Sequence, residues 1–226
     1  MNKTEIIPGF LFDMDGVLVD SSAIHFEAWQ MLVQEYPQFA ISYEEFRRTF
    51  GMTNKEILEI CHPKGDDNAY AFLGTRKEEL FRELCKTKLE LLPGIEPFLQ
   101  ELKTRNFSRI IGSNAPIANL HFFLEYTKLG NYFDAFVSGE EVIRGKPSPH
   151  VYLEAAKRIG KESSDCIVIE DSPHGLVAGT LANCFVIALG TTTPVELLNP
   201  KNLFVKTPLD LNLNFVLEQW QRYKNS

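Results

Sequence analysis

The sequence contains few cysteines, and none of them stands in the close pairs that bind metals or exchange disulfides. Cys61, Cys85, Cys166 and Cys184 are widely separated, and no CxxC motif is present. The histidines form no cluster at metal-ligand spacing, so the sequence does not support a zinc site. Because nothing indicates a disulfide framework, we expect the chain to work in the reducing cytoplasm.

Long apolar runs and a surplus of basic residues are also missing. No segment approaches the roughly 20 apolar residues that cross a bilayer, and residues 1–20 lack the basic start and apolar core of a signal peptide. The 23 basic residues are outnumbered by 30 acidic ones, which argues against a nucleic-acid partner. With 226 residues, 44% of them hydrophobic, the composition is that of a globular protein without a membrane or nucleic-acid partner.

Five short apolar runs have the length and composition of β-strands. They are Gly9–Phe12, Arg109–Ser113, Ala135–Ser138, Cys166–Glu170 and Phe185–Leu189. Amphipathic helical patterns lie between most of them. This alternation predicts an α/β fold with a Rossmann-like parallel sheet that helices cover on both sides.

The alternation is interrupted over residues 21–92, where no convincing strand occurs. The helical signals there are an apolar face at Ile24, Ala28 and Leu32, capping boxes at Ser42–Glu45 and Thr53–Glu56, and a charged helix over residues 75–88. We therefore predict an all-helical cap domain at 21–92, inserted into a core formed by 1–20 and 93–226. Small inserts at the edge of an α/β sheet often act as lids.

Asp13 and Asp15 follow the first predicted strand and are two residues apart. Side chains at this spacing point to the same side of an extended chain, so two like charges lie close together. A nearby cation or a bound proton must relieve their repulsion. An Asp-Gly pair alone is usually a turn, so the interpretation depends on the motifs that accompany it.

Three further polar motifs also follow predicted strands: Ser113-Asn114, Lys146 with Pro147, and Glu170-Asp171. Ligands of open α/β sheets bind beyond the carboxyl ends of the strands, so parallel neighbours would bring all four motifs to one edge. Carboxylate oxygens suit Mg²⁺. Four carboxylates and a phosphate around a single lysine would repel one another without such a dication.

These residue types match phosphoryl transfer through an aspartate. Asp13 is the predicted nucleophile, and Asp15 is the predicted acid and then base. Ser113 would donate to a phosphoryl oxygen, with Asn114 as a neighbouring substrate contact, and Lys146 would offset negative charge. The predicted Mg²⁺ ligands are Asp13, the backbone carbonyl of Asp15, and Asp171, with Glu170 in support.

In order along the chain, Asp13-x-Asp15-Gly16-Val17, Ser113, Lys146-Pro147 and Glu170-Asp171-Ser172 resemble the four motifs of the haloacid dehalogenase superfamily. The resemblance covers nearly the whole chain. The helical insert after the first strand is similar to the subgroup that includes β-phosphoglucomutase and phosphoglycolate phosphatase. The resemblance implies a parallel sheet of at least five strands, a four-helix cap, and in many members a monomer.

The segment His25-Phe26-x-Ala28-Trp29 resembles β-phosphoglucomutase, where the matching histidine helps to control the acid/base aspartate and cap closure. Mutases of this kind bind the distal phosphate of a bisphosphate with a cap arginine. The matching position here is Asn54, followed by Lys55, and neither side chain can form the bidentate hydrogen bonds that arginine makes with a phosphate. Lys77 is a second implied cap contact. Taken without the resemblance, Lys55 and Lys77 are typical of solvated surface lysines.

The leading hypothesis is a Mg²⁺-dependent phosphatase that hydrolyses a small phosphorylated metabolite, such as a sugar phosphate, through an aspartyl phosphate on Asp13. The alternative is a phosphohexomutase, in which a bound sugar phosphate replaces water as the acceptor. A haloacid dehalogenase would need neither Asp15 nor Mg²⁺, and a non-catalytic binding protein would not need the full carboxylate set. The sequence leaves the substrate and the oligomeric state open, with a monomer favoured.

Overall fold

The computed structural model describes residues 6–226, whose strands form one parallel sheet. The strands are β1 (Gly9–Phe12), β2 (Arg109–Ser113), β3 (Ala135–Ser138), β4 (Cys166–Glu170), β5 (Phe185–Leu189) and β6 (Leu203–Val205). Their spatial order is β3-β2-β1-β4-β5-β6, and every neighbouring pair is parallel. The α/β prediction is confirmed, and five strands have the predicted bounds. The three-residue β6 was not predicted, because an edge strand this short carries little apolar pattern.

Nine α-helices accompany the sheet within residues 6–226. They are α1 (Ser22–Glu35), α2 (Tyr43–Thr49), α3 (Asn54–Cys61), α4 (Asp67–Lys88), α5 (Ile95–Thr104), α6 (Ile117–Thr127), α7 (His150–Arg158), α8 (Pro173–Leu181) and α9 (Leu213–Lys224). None of these helices combines the length and the apolar composition needed to cross a bilayer. The first four lie between β1 and α5, in the part of the chain predicted to be a helical insert.

The longest helix, α4, begins eight residues earlier than the sequence pattern predicts. Its start is capped by Asp66, whose carboxylate accepts a hydrogen bond from the N–H of Ala69. Tyr70 and Leu73, in its first two turns, are buried. Their packing stabilises a segment with little helical pattern of its own. The predicted capping boxes at Ser42 and Thr53 are both present.

Alternate residues of β1 contact the cores on the two sides of the sheet. Phe10 and Phe12 belong to the core that includes Phe98 of α5, and the rings of Phe10 and Phe98 lie 6.1 Å apart, edge to face. Leu11 points to the opposite side, where the core includes Tyr152 of α7. Burying such side chains on both faces stabilises the fold by about 1.5–3 kcal/mol each. The sheet is therefore a firm support for the residues at its carboxyl edge.

The helical insert joins the sheet through two adjacent stretches of chain. The N–H of Asp20 donates to the carbonyl of Glu90, and the N–H of Leu92 donates to the carbonyl of Leu18. The paired connections lie near the predicted boundaries at 20/21 and 92/93. The division into domains itself stays a prediction, and residues 1–5 of the predicted core lie outside the described residues.

Candidate active site

The carboxyl ends of three adjacent strands place the predicted catalytic residues side by side. Asp13 directly follows β1, Ser113 is the last residue of β2, and Glu170 is the last residue of β4 with Asp171 next to it. Lys146 comes from the segment between β3 and α7. All five side chains are buried. The structure thus brings together residues that are up to 158 positions apart in the printed sequence.

Lys146 links two of the carboxylates. Its Nζ lies 2.7 Å from Oδ1 of Asp13 and 2.7 Å from Oε1 of Glu170. The backbone N–H of Lys146 donates to Oδ1 of Asn114 at 2.8 Å, while Nδ2 of Asn114 donates to the carbonyl of Gly51 in the insert. Asn114 therefore holds the lysine segment in place and connects it to the insert. Its predicted contact with substrate stays a prediction.

The Glu170 carboxylate accepts hydrogen bonds at both oxygens. Besides Lys146, Oε1 accepts from the hydroxyl of Tyr152 at 2.7 Å, and Oε2 accepts from the N–H groups of Asp171 and Ser172. A side chain at position 175 would collide with this carboxylate, so Gly175 is required there. Sequence reasoning missed Tyr152, although a tyrosine on an otherwise apolar helix face must find a partner for its hydroxyl.

Asp171 carries an oxygen without a hydrogen-bond partner. Its Oδ1 is buried and unpaired, while Oδ2 accepts from the hydroxyl of Thr192. Gly16 lies against this carboxylate with a φ of 74°, and a side chain there would overlap Oδ2. The close approach explains the glycine of the first motif. A buried carboxylate oxygen without a partner is unfavourable unless a cation or a proton binds to the group.

Two carboxyl groups at this edge hold their protons more tightly than usual. Burial, together with the charge of Glu170, raises the pKa of Asp13 to about 7, although Lys146 acts in the opposite direction. Burial and the charges of Glu170 and Asp13 raise the pKa of Asp171 well above its ordinary range. Negative charge at the site therefore exceeds what one lysine can offset.

An acidic cluster at this edge fits a divalent cation. One oxygen each from Asp13, Glu170 and Asp171 lie within 4.8 Å of one another. An all-oxygen set of this kind suits a hard cation such as Mg²⁺, and the unpaired Oδ1 of Asp171 would gain a partner. The carboxylate of Asp15 is not part of this cluster. Its predicted role in metal binding is through the backbone carbonyl and stays a prediction.

The Asp15 side chain instead contacts residues of α1 and its start. Its Oδ1 accepts from the hydroxyl of Ser21 at 2.5 Å and lies 3.2 Å from Nε2 of His25. Nδ1 of His25 is 2.7 Å from Nζ of Lys77. An ammonium can only donate, so Nδ1 accepts and the ring proton sits on Nε2, facing Asp15. Burial would raise the pKa of Asp15, but the hydrogen bonds from His25 and Ser21 and the positive charge of Lys77 outweigh it, and the pKa is lowered.

Lys77 is buried, so the expectation of a solvated lysine is wrong at this position. Its Nζ donates to Glu78 at 2.8 Å and lies 5.3 Å from the centre of the Trp29 ring and 5.2 Å from that of Phe81. The local sequence pattern did not indicate that Lys77 is buried, because its burial results from the packing of α1 against α4. Lys55 does follow the expectation, since its exposed ammonium pairs with Asp67 at 2.8 Å.

A cleft of about 560 Å³ lies above the sheet edge, between the core and the helical insert. Asp13, Ser113 and Lys146 line its floor, and Asn54 and Glu78 line its opposite wall. Nδ2 of Asn54 donates to Oε1 of Glu78 at 2.7 Å. All predicted site residues except Glu170 line this cleft. Glu78 itself was not predicted, because a carboxylate in a highly charged helix carries no distinguishing signal.

A sequence model of haloacid dehalogenase-like hydrolases matches residues 7–183. The chain belongs to this family. That result confirms the resemblance inferred from the four motifs. It also agrees with the position of those motifs at one edge of the sheet.

Individual relatives of this hydrolase include a mutase and several phosphatases. β-Phosphoglucomutase from Bacillus subtilis is 29% identical over 224 residues, covering 95% of this chain and 96% of that protein. A phosphorylated carbohydrates phosphatase from Thermotoga maritima is 29% identical over 177 residues, covering 76% and 80%. Fructose-1-phosphate phosphatase from Escherichia coli is 28% identical over 181 residues, covering 77% and 92%.

The solved structure of β-phosphoglucomutase from Clostridium difficile is similar to this hydrolase over almost its full length. The TM-score is 0.87 at 25% sequence identity, covering 97% of this chain and 100% of that one. The Rossmann-like fold with its helical insert is therefore shared with a known enzyme of the family.

Proposed function

We propose that this hydrolase is a Mg²⁺-dependent phosphatase that removes the phosphoryl group from a small phosphorylated metabolite, such as a sugar phosphate. The carrying observation is the position of Asp13, which lies beside a lysine, a serine hydroxyl and an acidic cluster with an unpaired oxygen. The phosphatases among the relatives, whose names specify phosphorylated carbohydrates and fructose 1-phosphate, support the same class of substrate.

In the first step a carboxylate oxygen of Asp13 attacks the phosphorus atom and forms an aspartyl phosphate. The bond between phosphorus and the leaving alcohol oxygen breaks, and Asp15 gives that oxygen a proton. Asp15 is a carboxylate in the free protein, because its pKa is lowered. The negative charge of the approaching phosphate raises this pKa, so Asp15 takes up a proton from solvent when the substrate binds and then donates it to the leaving oxygen.

In the second step water attacks the phosphorus of the aspartyl phosphate while Asp15 takes the proton of the water. The bond between Asp13 and phosphorus breaks and inorganic phosphate leaves. Ser113 Oγ accepts from the N–H of Ala115 at 3.1 Å, which leaves its own hydrogen for a phosphoryl oxygen. Lys146 offsets charge on Asp13 and on the phosphoryl group in both steps.

Mg²⁺ is part of this proposal, and the acidic cluster supports it. Asp13, the backbone carbonyl of Asp15, and Asp171 would hold the cation, with Glu170 in support. When bound, the ion supplies positive charge that stabilises negative phosphoryl oxygens. The raised pKa values of Asp13 and Asp171 are the expected state of such ligands without their cation.

We also propose that residues 21–92 act as a cap over this site and that the protein works in the cytoplasm as a monomer. The paired chain connections at Asp20 and Leu92 support a cap that moves as a unit. The four free cysteines support a reducing compartment.

Replacing the nucleophile tests the proposed chemistry. Asp13→Asn removes the attacking oxygen charge, so phosphate release from sugar phosphates should fall by about 10³-fold or more, with far-UV circular dichroism unchanged. Asp20→Asn is the matched control, because Asp20 is exposed and lies outside the cleft. EDTA should abolish activity and Mg²⁺ should restore it. Wild-type turnover by the Asp13→Asn protein, or turnover that EDTA leaves intact, would contradict the proposal.

A phosphohexomutase is the second candidate, and two observations favour it. β-Phosphoglucomutase from Bacillus subtilis aligns over nearly its full length, and His25 contacts the acid/base aspartate. Incubation with β-glucose 1-phosphate, Mg²⁺ and a trace of the bisphosphate separates the two activities. Glucose 6-phosphate without free phosphate would identify a mutase, and free phosphate would identify a phosphatase.

A further inference from the structure

Three consecutive threonines follow the carboxyl end of β5, and none of them has a role in the chemistry proposed above. We call them the threonine loop, and they are Thr191, Thr192 and Thr193. The preceding residue, Gly190, donates its N–H to the carbonyl of Val205 in β6 at 3.0 Å, which fixes the start of the loop. Because β5 pairs with β4 along its length, the threonine loop lies beside the acidic motif that follows β4.

The first two hydroxyls of the threonine loop bind two different motifs of the active site. The hydroxyl of Thr191 donates to the carbonyl of Gly16, in the first motif. The hydroxyl of Thr192 donates to Oδ2 of Asp171, in the fourth motif. Within residues 6–226, the Thr193 hydroxyl has a contact only with that of Thr192, at 3.4 Å. Two adjacent residues thus connect the two segments that would supply ligands to Mg²⁺.

The two oxygens of the Asp171 carboxylate have different surroundings. Oδ2 lies against the backbone of Gly16 and accepts the hydrogen bond from Thr192, so it is occupied by protein contacts. Oδ1 is buried and has no hydrogen-bond partner. One oxygen of Asp171 lies within 4.8 Å of an oxygen of Asp13 and of Glu170. Oδ1 is therefore the oxygen that Asp171 can offer to a cation in this cluster.

An aspartate carboxylate does not keep a fixed orientation by itself. The torsion that turns its plane is broad and roughly two-fold, so the two oxygens exchange places at little cost. The neighbouring carboxylates of Asp13 and Glu170 repel Oδ1 while no cation is bound. Turning the carboxylate away from them would break the hydrogen bond between Thr192 and Oδ2. That bond therefore opposes the rotation that the repulsion favours.

We propose that Thr192 is a positioning residue of the metal site, and that its hydroxyl holds Oδ2 of Asp171 so that Oδ1 stays available to Mg²⁺. The hydrogen bond from Thr191 supports the same site from its other side, because Gly16 follows Asp15, whose backbone carbonyl is a proposed ligand. This inference rests on the proposed Mg²⁺-dependent function and adds a residue to its metal site. Removing a group that hydrogen-bonds to a metal ligand typically costs roughly 10–100-fold in metal affinity or activity.

Titration with Mg²⁺ alone, in the absence of substrate, tests the inference. Thr192→Val keeps the shape of the side chain and removes the hydroxyl, so the dissociation constant for Mg²⁺, measured by calorimetry, should rise by about tenfold or more. Thr192→Ser keeps a hydroxyl and should return the constant close to the wild-type value. Thr193→Val makes the same change at the next residue and is the matched control, with the dissociation constant of wild type.

Two results of this titration would overturn the inference. The first is an equal dissociation constant for wild type and for a Thr192→Val protein with the far-UV circular dichroism of wild type. The second is an equally large loss of affinity in Thr193→Val, because the loss would then come from the loop as a whole. Comparing Thr192→Ala with Thr192→Ser decides the same question if the valine variant does not fold.

Urea unfolding distinguishes positioning of the metal ligand from a purely structural role. A structural role would lower the free energy of unfolding of Thr192→Val by the same amount with and without Mg²⁺. Under the inference, the difference between wild type and variant widens in saturating Mg²⁺ by about 1.4 kcal/mol, which is a tenfold difference in affinity expressed as free energy. A difference that Mg²⁺ leaves unchanged would overturn the inference.

The metal titration also separates this inference from the proposed function. Weaker Mg²⁺ binding by Thr192→Val supports the inference even if the wild-type protein releases phosphate from no sugar phosphate. Phosphate release by wild type, together with equal Mg²⁺ binding by Thr192→Val, would leave the phosphatase function intact and overturn the role of Thr192. In the active protein, Thr192→Val should need about tenfold more Mg²⁺ for half-maximal activity, while kcat at saturating Mg²⁺ falls by less.

Discussion

The sheet edge and the insert wall of the cleft differ in the sign of their excess charge and in how their carboxylates are paired. At the sheet edge, Lys146 pairs with Asp13 and Glu170, while Oδ1 of Asp171 has no partner. On the insert side, the carboxylate of Glu78 has three hydrogen-bond partners, and three cations (Lys55, Lys77, Arg82) line the cleft with two carboxylates. The sheet edge therefore carries an excess of negative charge that a cation or a proton must offset, whereas positive charges outnumber negative ones on the insert wall.

This difference is consistent with phosphoryl transfer at the sheet edge. An excess of carboxylates favours the binding of a dication, and the dication would offset the negative charge of the phosphoryl group. Changes at the sheet edge should therefore affect the turnover of all substrates.

Among the variants that test this difference, Lys146→Met should cause the largest loss of activity. Lys146→Met removes the only ammonium within hydrogen-bond distance of Asp13 and Glu170 among the described residues. We expect kcat/KM to fall by about 10²–10³-fold for every substrate, because positive charge at the phosphoryl group is lost. Lys157→Met, on the exposed side of α7, is the control and should retain full activity. A loss of activity confined to some substrates would contradict a role for Lys146 at the phosphoryl group.

A smaller effect is expected in the stability of the metal-free protein. The pKa of Asp13 rises from its ordinary 3.8 to about 7 on folding. The folded state therefore binds the proton more tightly, and stability declines as pH rises from about 4 to 7 and is then constant. Asp13→Asn stays neutral, so in EDTA it should exceed wild type at pH 8 by on the order of 1–3 kcal/mol, and by less at pH 5.

Urea unfolding at the two pH values, with and without Mg²⁺, measures this difference. Added Mg²⁺ should stabilise the wild-type protein more than Asp13→Asn, because the cation needs the carboxylate charge. A metal-free variant that is less stable than wild type at pH 8 would contradict the description of the sheet edge as charge-unbalanced.

The smallest effect is expected at Tyr152. Tyr152→Phe removes the 2.7 Å hydrogen bond to Oε1 of Glu170 but keeps the ring in the core. The free energy of unfolding should fall by about 1 kcal/mol, and kcat should fall by only a few fold, because four other donors still hold Glu170. Tyr126→Phe, with an exposed hydroxyl, is the control. A loss as large as that of Lys146→Met would mean that Tyr152 acts directly in the chemistry.

Local sequence patterns were sufficient to predict five strands of the sheet and the motifs at its carboxyl edge. Four of the five predicted strands are buried throughout and β3 is buried over its second half, so each has a short apolar run that can be recognised in the sequence. Asp13 and Glu170 follow such runs directly, and parallel neighbours bring their ends together. The early start of α4 and the edge strand β6 were missed, because packing against distant residues stabilises both.

The opposite wall of the cleft could not be derived from local pattern. Asn54, Glu78 and Asn119 come from three different helices, and nothing in their neighbouring residues indicates that they meet. Lys77 was expected to be solvated for the same reason. The type of reaction could be predicted because its residues lie at the ends of strands, and short segments of the sequence determine where those strands end. The pairing of charged and polar side chains on the insert wall depends on how whole helices pack, and only the folded chain determines it.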